Sequence, residues 1–304
     1  MDGVERLAVK DQTVYGIVTE RIVALLEQGT IPWQKPWASN GEDCLPRNLL
    51  SKKPYRGVNV FLLHAMSYES PYWVTFKQAQ ELGGNVRKGE KACPVVFWKW
   101  LDAQDDPSRE KKRIPLLRYY HLFNVSQCEG IETPTPEKLG RAHDPIMSAE
   151  QIVAGMPKAP EINHGRNRAA YSPALDCVFM PSPEAFQRGE HYYGVLFHEL
   201  THATGHEARL NRKGVAGSDG EWSALGSTPY AKEELVAEMG AAFLSGHAGI
   251  AERTIENSAA YIAGWLERLR GDNRLVVQAA AQAQRAADYI LGRQFETEAR
   301  EVQP

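Results

Sequence analysis

Long apolar runs are missing from this chain of 304 residues. No stretch reaches the ~18–20 consecutive apolar residues that span a bilayer, so no membrane partner is expected. The opening, MDGVERLAVKDQTVYG, lacks the basic-then-apolar order of a secretion signal, and the expected location is cytoplasmic. Cysteine is scarce and scattered. Cys44, Cys93, Cys128 and Cys177 form no CxxC pair. That argues against a thiolate metal site or a disulfide framework and for reduced, mostly buried thiols. A dominant charge is absent too, the net being −3. The balance is uneven, however: residues 1–130 hold 18 Lys+Arg against 15 Asp+Glu, and the remaining 174 hold 17 against 23. Any polyanionic partner is therefore expected to meet the first half.

What is present is the composition of a soluble globular protein, in a chain long enough for two cores. Val14, Ile17, Val18, Ile22, Leu25 and Leu26 recur at helical spacing, with Gly29 as the stop. After Pro32 and Pro36 break that pattern, residues 38–59 read as loop and turn and residues 60–68 as a short helix. PYWVTFKQAQELGG reads as a strand or turn entering a helix that stops at Gly83-Gly84. An apolar strand over Pro94–Leu101 and a β-rich RYYHLFNVSQ flank the charged QDDPSREKKR, a hairpin tip. EGIETPTPEKLGRAHDPIM (129–147) lacks apolar periodicity and holds three prolines. The division expected is a mixed α/β domain over 1–130, a linker over 131–147, and a second domain over 148–304. In the latter, RAAYSPALDCVFMP reads as two short strands. HYYGVLFHELTHATGH and YAKEELVAEMGAAFLSGHAG read as helices, followed by two alanine-rich helices near 257–270 and 273–291. The class is α/β (α+β), mainly helical in the second half, with a small sheet.

His198-Glu199-Leu200-Thr201-His202 carries the sharpest chemistry. On a helix, His198 and His202 stand at i and i+4 and share one face, so both imidazoles reach one ion. Glu199 then lies beside the open coordination position, where it accepts a proton from water and returns it to a leaving amine. GVLF ahead of the motif supplies a buried face, and Thr204-Gly205 lets the helix end. Tetrahedral zinc needs a third protein ligand. Extension to HExxHxxGxxH fails at Ala208, which disfavours the metzincins, and His206 follows too closely. Glu233, Glu234 and Glu238 remain. The i,i+4 pair Glu234 and Glu238 resembles the gluzincin arrangement, with Glu234 as ligand and Glu238 behind it orienting a histidine. The reverse assignment stays open. Glu233 is expected to point elsewhere, into solvent. Zinc is the expected ion, one per chain, with manganese or cobalt as substitutes. The strand at Cys177–Met180 is expected to offer an edge to an extended substrate. Tyr171, Tyr192, Tyr193 and Tyr230 are candidate oxyanion donors.

In the first half, Trp33, Trp37, Trp73, Trp98 and Trp100 are interleaved with Lys and Arg. Ten basic residues stand against five acidic ones between 31 and 101. Rings for stacking bases and cations for phosphates are the chemistry of single-stranded-DNA binding. The same composition also describes core tryptophans under a solvated basic face.

VTERIVALLEQGTIPWQKPW, PYRGVNVFLL, WVTFKQAQELGGNVRKGEK, VVFWK and LFNVSQC resemble the N-terminal domain of the ArdC family of antirestriction proteins. DCVFMP, YYGVLFHELTHATGH and YAKEELVAEMGAAFL resemble that family's zincin-like metallopeptidase domain, so the resemblance covers nearly the whole chain. It implies a plasmid- or mobile-element-encoded bacterial protein that binds single-stranded DNA and protects incoming conjugative DNA from restriction. Carried over residue by residue, it offers Trp33, Lys35 and Trp37 from PWQKPW; Tyr55, Arg56 and Asn59 from YRGVN; and Arg87, Lys88 and Lys91 from VRKGEK. Arg56 and Lys88 are the foremost phosphate contacts, and Trp33 or Trp37 the stacking platform.

Two functions follow. In one, DNA tethers a protease that cleaves a restriction subunit or another DNA-bound protein. In the other, the chain coats and shields DNA and its metal site is structural or vestigial. A nuclease is disfavoured, because phosphoryl transfer more often uses oxygen-ligated or paired metals.

Overall fold

The computed structural model describes residues 13–33, 45–102, 113–132, 145–212, 215, 228–250 and 259–293; for 98–102, 113–117, 145, 228–230 and 259 it describes the backbone alone. The first helix, α1 (Val14–Glu27), starts at Thr13, whose hydroxyl accepts the Gly16 amide. It buries Val18, Ile22, Leu25 and Leu26 on one face, and Gly29 ends the turn at φ 75°. Then follow β1 (Arg47–Asn48), α2 (Val58–Ala65), β2 (Tyr72–Val74) and α3 (Phe76–Glu81), the last opened by a reciprocal Thr75–Gln78 capping box. β3 (Asn85–Val86), the long β4 (Cys93–Asp102), β5 (Arg113–Asn124) and β6 (Cys128–Glu129) complete the N-terminal part. β4 and β5 pair antiparallel from Cys93↔Leu122 to Asp102↔Arg113, as a hairpin requires. The sheet order is β1-β2-β5-β4, with β3-β6 as a separate ribbon. The Asn59 side chain donates to the Val96 carbonyl and accepts its amide, at 2.7 and 2.8 Å, standing in for a neighbouring strand along the outer edge of β4.

The C-terminal part opens with α4 (Pro145–Gly155), whose first residues fall inside the stretch expected as linker. Proline suits this first position because its missing N–H has no intrahelical partner to lose. Next come β7 (Glu161–His164), β8 (Ala170–Ser172), β9 (Cys177–Met180) and α5 (Gly189–Ala203), then α6 (Thr228–Ala248), α7 (Ala259–Gly271) and α8 (Leu275–Ile290). The small sheet runs β7-β9-β8. Cys177–Met180 is therefore its central strand, parallel to β7 and antiparallel to β8, and not the edge expected from sequence. α5 and α6 approach closely at Gly240, where an added Cβ would lie 2.4 Å from Thr201. That contact brings the carboxylates of α6 within reach of the histidines of α5.

The two parts share one core. α1, α2 and the sheet supply Val18, Ile22, Phe61 and Trp73, while α6 and α8 supply Leu235, Phe243, Ala280 and Ala283. Phe61 and Phe243 stack at 4.8 Å. Polar contacts cross the same seam: Arg56 pairs with Asp288, and Gln284 accepts the Gly57 amide. The Asp288 side chain is 8% exposed. Arg56→Ala leaves its carboxylate, among the described residues, hydrogen-bonded to Gln284 alone and is expected to cost about 1–3 kcal/mol, read as a lower urea midpoint at unchanged slope. Cys93 and Cys177 are buried and Cys128 half-buried, all unpaired; Cys44 lies outside the described residues. Burial pushes the Cys93 thiol up to about 12. No helix among the described residues is long and apolar enough to cross a membrane.

Candidate metal centre

α5 presents His198 and His202 one turn apart, their rings edge to face at 4.8 Å between centroids. Their Nε2 atoms are 3.1 Å apart. Glu234 reaches over from α6, with Oε2 at 3.7 Å from His198 Nε2 and Oε1 at 3.5 Å from His202 Nε2. These three are the one group among the described residues whose donor atoms could hold a metal ion. Ligand atoms about 2.0–2.1 Å from a tetrahedral zinc lie about 3.3–3.4 Å from one another. The two Glu234 oxygens each face one histidine at separations close to that edge length, and one donor atom from each residue lies within 4.8 Å of the others, so the donor set fits a divalent ion. Burial works to lower the His198 pKa. The hydrogen bond to Glu234 and the charges of Glu199, Glu234 and Glu238 overcome it and hold the imidazole above its ordinary value. The pocket attracts cations by construction.

Behind the ligands stands a carboxylate that sequence reasoning placed in solvent. Glu233 is 3% exposed. Its Oε1 lies 3.3 Å from His202 Nδ1. Arg212 grips it from the other side, Nη2 to Oε1 at 2.5 Å and Nε to Oε2 at 3.1 Å. The same guanidinium donates to the Thr201 carbonyl and the Thr204 hydroxyl, fastening the end of α5. Burial tends to raise the Glu233 pKa, but His202 and Arg212 outweigh it and hold the carboxyl below the ordinary glutamate range. A carboxylate on Nδ1 fixes the tautomer that leaves Nε2 free for a metal. Helix geometry explains the mistake. Neighbouring residues diverge by about 100°, so Glu233 and Glu234 cannot share a target, but both can face α5 when one reaches Nδ1 and the other Nε2.

Glu238 does something other than expected. It is buried and accepts from Trp33 Nε1 at 2.9 Å and from the Tyr261 hydroxyl. Burial raises its pKa, partly offset by Tyr261, His198 and Trp33. The histidine-orienting carboxylate is thus Glu233, while Glu238 joins the N-terminal part and α7 to the back of the site. Glu199 Oε2 accepts the Tyr171 amide at 2.8 Å. The Tyr171 hydroxyl donates to Asp176, itself ion-paired to Arg209. β8 is thereby anchored to the segment after α5. Tyr192 meets His164, and Tyr193 donates to Glu150, so the hydroxyls of Tyr171, Tyr192 and Tyr193 are all engaged away from the metal ligands; the Tyr230 side chain is outside the described residues. His206 turns toward Asp176, its Nδ1 3.9 Å from the carboxylate.

Of the DNA-binding candidates, Trp33 is 2% exposed and packs edge to face on Trp265, which rules it out as a stacking platform. Tyr55 and Asn59 are buried, the first hydrogen-bonded to Asn48 and the second to β4. Arg56 is committed to Asp288. Arg87, Lys88 and Lys91 are exposed, Arg87 also pairing with Glu90 at 2.9 Å and bonding the Ser126 and Cys128 carbonyls. Lys35 and Trp37 lie outside the described residues.

Residues 12–123 match the N-terminal domain of anti-restriction factor ArdC, and residues 147–282 match a zincin-like metallopeptidase family. An uncharacterized protein, y4eC, of Sinorhizobium fredii is 36% identical over 95% of both chains. The DNA primase TraC of Escherichia coli is 33% identical over 90% of this chain, which spans only 26% of that protein. Two crystal structures of the antirestriction protein ArdC from plasmid R388 superpose with TM-scores of 0.71. The metal-free one is 35% identical and covers 93% of this chain, the Mn(II)-bound one 36% and 96%, and each is matched over its full length. The chain belongs to the ArdC family of antirestriction proteins, with a zincin-like domain as its second half.

Proposed function

We propose that this protein is a metal-dependent peptidase of the gluzincin type carried on single-stranded DNA. It acts on a restriction subunit or another protein bound to that DNA and so protects incoming conjugative strands. The observation that carries the reading is the set of His198, His202 and Glu234 donors spaced at 3.1–3.7 Å, with Glu199 next along the helix from His198. Zinc is the first candidate ion, and manganese is the second, since one of the related R388 crystal structures is Mn(II)-bound. The bound ion would supply Lewis-acid polarisation of a peptide carbonyl and a lowered pKa for water. Glu199, one oxygen held by the Tyr171 amide, takes the proton with the other and returns it to the leaving nitrogen. Glu233 holds His202 in register. For DNA, the exposed cations Arg87, Lys88 and Lys91 are proposed as phosphate contacts. The name of the TraC relative, a DNA primase, agrees with a nucleic-acid partner.

Elemental analysis of wild type and Glu234→Ala, with an oligo(dT) titration on the same samples, tests both halves. One ion per chain, lost in the variant while DNA binding persists, is the expected result. A metal-free wild type purified without chelator would instead favour a DNA-shielding protein.

A further inference from the structure

Trp33, one of the two expected stacking platforms, is buried, and the outer face of the N-terminal sheet carries a row of other rings. Along β5, Tyr120 and Leu122 turn into the core, so Tyr119, His121 and Phe123 take the opposite face. Tyr119 is 39% exposed and meets the His121 ring at 5.5 Å. Phe76, at the start of α3, is 50% exposed and lies edge to face on Phe123 at 6.5 Å. The register Val74↔Phe123 puts Tyr72, two residues back along β2, on the same face, at the margin of a small core of Leu49, Val74, Ala79 and Val125 that it packs against. The Lys52 ammonium sits 5.0 Å over that ring. Lys77, beside Phe76, has a side chain 78% exposed and a surface pairing with Glu81 at 3.5 Å that a phosphate can replace. Over 45–102, nine Lys+Arg stand against four Asp+Glu.

Open rings among cations suit one kind of partner. A phenyl face half in water makes a poor phosphate contact but a good platform for a base, and the ammonium groups supply the phosphate contacts. Bases in a duplex already cover each other's faces, so only unpaired ones can stack on protein rings. From residue 119 to residue 123 a strand runs about 13 Å, room for two or three such bases. We infer that this outer face of β5, β2 and the start of α3 is where single-stranded nucleic acid stacks, with Phe76 and Tyr119 as platforms and Lys52 and Lys77 at the phosphates. The inference rests on the DNA-binding reading above and gives it a location.

The test is fluorescence anisotropy of labelled oligo(dT), about 20 nucleotides long so as to exceed the footprint of one small domain, on the full chain. Phe76→Ala and Tyr119→Ala are each expected to weaken binding about ten-fold or more and to leave its salt dependence unchanged. Lys52→Ala and Lys77→Ala are expected to flatten that dependence, each by about one unit of slope. Both rings are exposed, and thermal melting checks that the variants fold. A brominated oligonucleotide, photocrosslinked and mapped by mass spectrometry, should mark Tyr119 or Phe76. If wild type binds and the double ring variant binds equally well, the stacking face is elsewhere and the inference falls while the DNA reading stands. If wild type does not bind, the DNA reading itself falls. Concentration-dependent self-association that vanishes in the double variant would assign this face to a second copy and overturn the proposal.

Discussion

Glu199→Gln is expected to abolish proteolysis by the metal-loaded protein while leaving its metal content and melting temperature unchanged. The substitution keeps the shape of the side chain. An amide oxygen can still accept the Tyr171 amide that now meets Oε2 at 2.8 Å, so β8 and α5 stay joined. What disappears is the basic oxygen. General base catalysis accounts for roughly 10²–10⁴-fold in rate, and for an unassisted amide that loss takes turnover to background. A quenched fluorescent casein gives the rate and elemental analysis the metal. If the Glu199→Gln variant loses the ion, the carboxylate belongs to the ligand set and the role assigned to Glu199 is wrong. The same variant separates the two functional readings. Conjugating DNA left unprotected from restriction by Glu199→Gln would make peptide cleavage the protective act. Full protection by the inactive variant would make protection a matter of covering DNA.

Local physics was legible in the sequence, and what depended on distant partners was not. α1 could be read from Val18, Ile22, Leu25 and Leu26 because helical burial repeats within a few residues. The shared face of His198 and His202 likewise follows from one turn of helix. α4 and β7 are short and went unread, and the position of β9 in its sheet depends on β7 as a second neighbour. Trp33 is offered as a stacking ring by the resemblance of PWQKPW. Its acceptor, Glu238, is 205 residues away. Arg56 looked free for phosphate because Asp288 is 232 residues away. Both contacts cross between the two domains, whose shared core no local pattern announces. Glu233 is the most instructive case. KEEL offers two adjacent carboxylates, and the choice between solvent and His202 Nδ1 is made by Arg212, which arrives only because the chain turns back after Gly205. There an added Cβ would lie 2.5 Å from Val215.

Arg212 and Glu233 support the second large expectation. Glu233→Ala leaves a guanidinium 8% exposed without the carboxylate it pairs with among the described residues. Breaking a buried pair from one side costs about 3–5 kcal/mol, so melting should fall by about 6–15 °C, at ~2–3 °C per kcal/mol for a chain this long. His202 loses its Nδ1 partner in the same step, and metal affinity should drop about 10–100-fold. A destabilised fold alone could also weaken the metal site, so a second variant is needed. Replacing both partners by apolar groups of similar size, Glu233→Leu with Arg212→Met, removes the orphaned charge, and such replacements are often close to neutral. Stability in this double variant should recover most of the loss, less the bonds Arg212 gives to the Thr201 carbonyl and the Thr204 hydroxyl. Metal affinity should not recover, because the carboxylate that meets His202 Nδ1 is still missing. Calorimetric melting and a competition titration against a chelator read the two quantities on the same samples. Recovery of both would mean that Glu233 serves the site only by packing. Recovery of stability alone would mean that the carboxylate tunes the metal ligand directly.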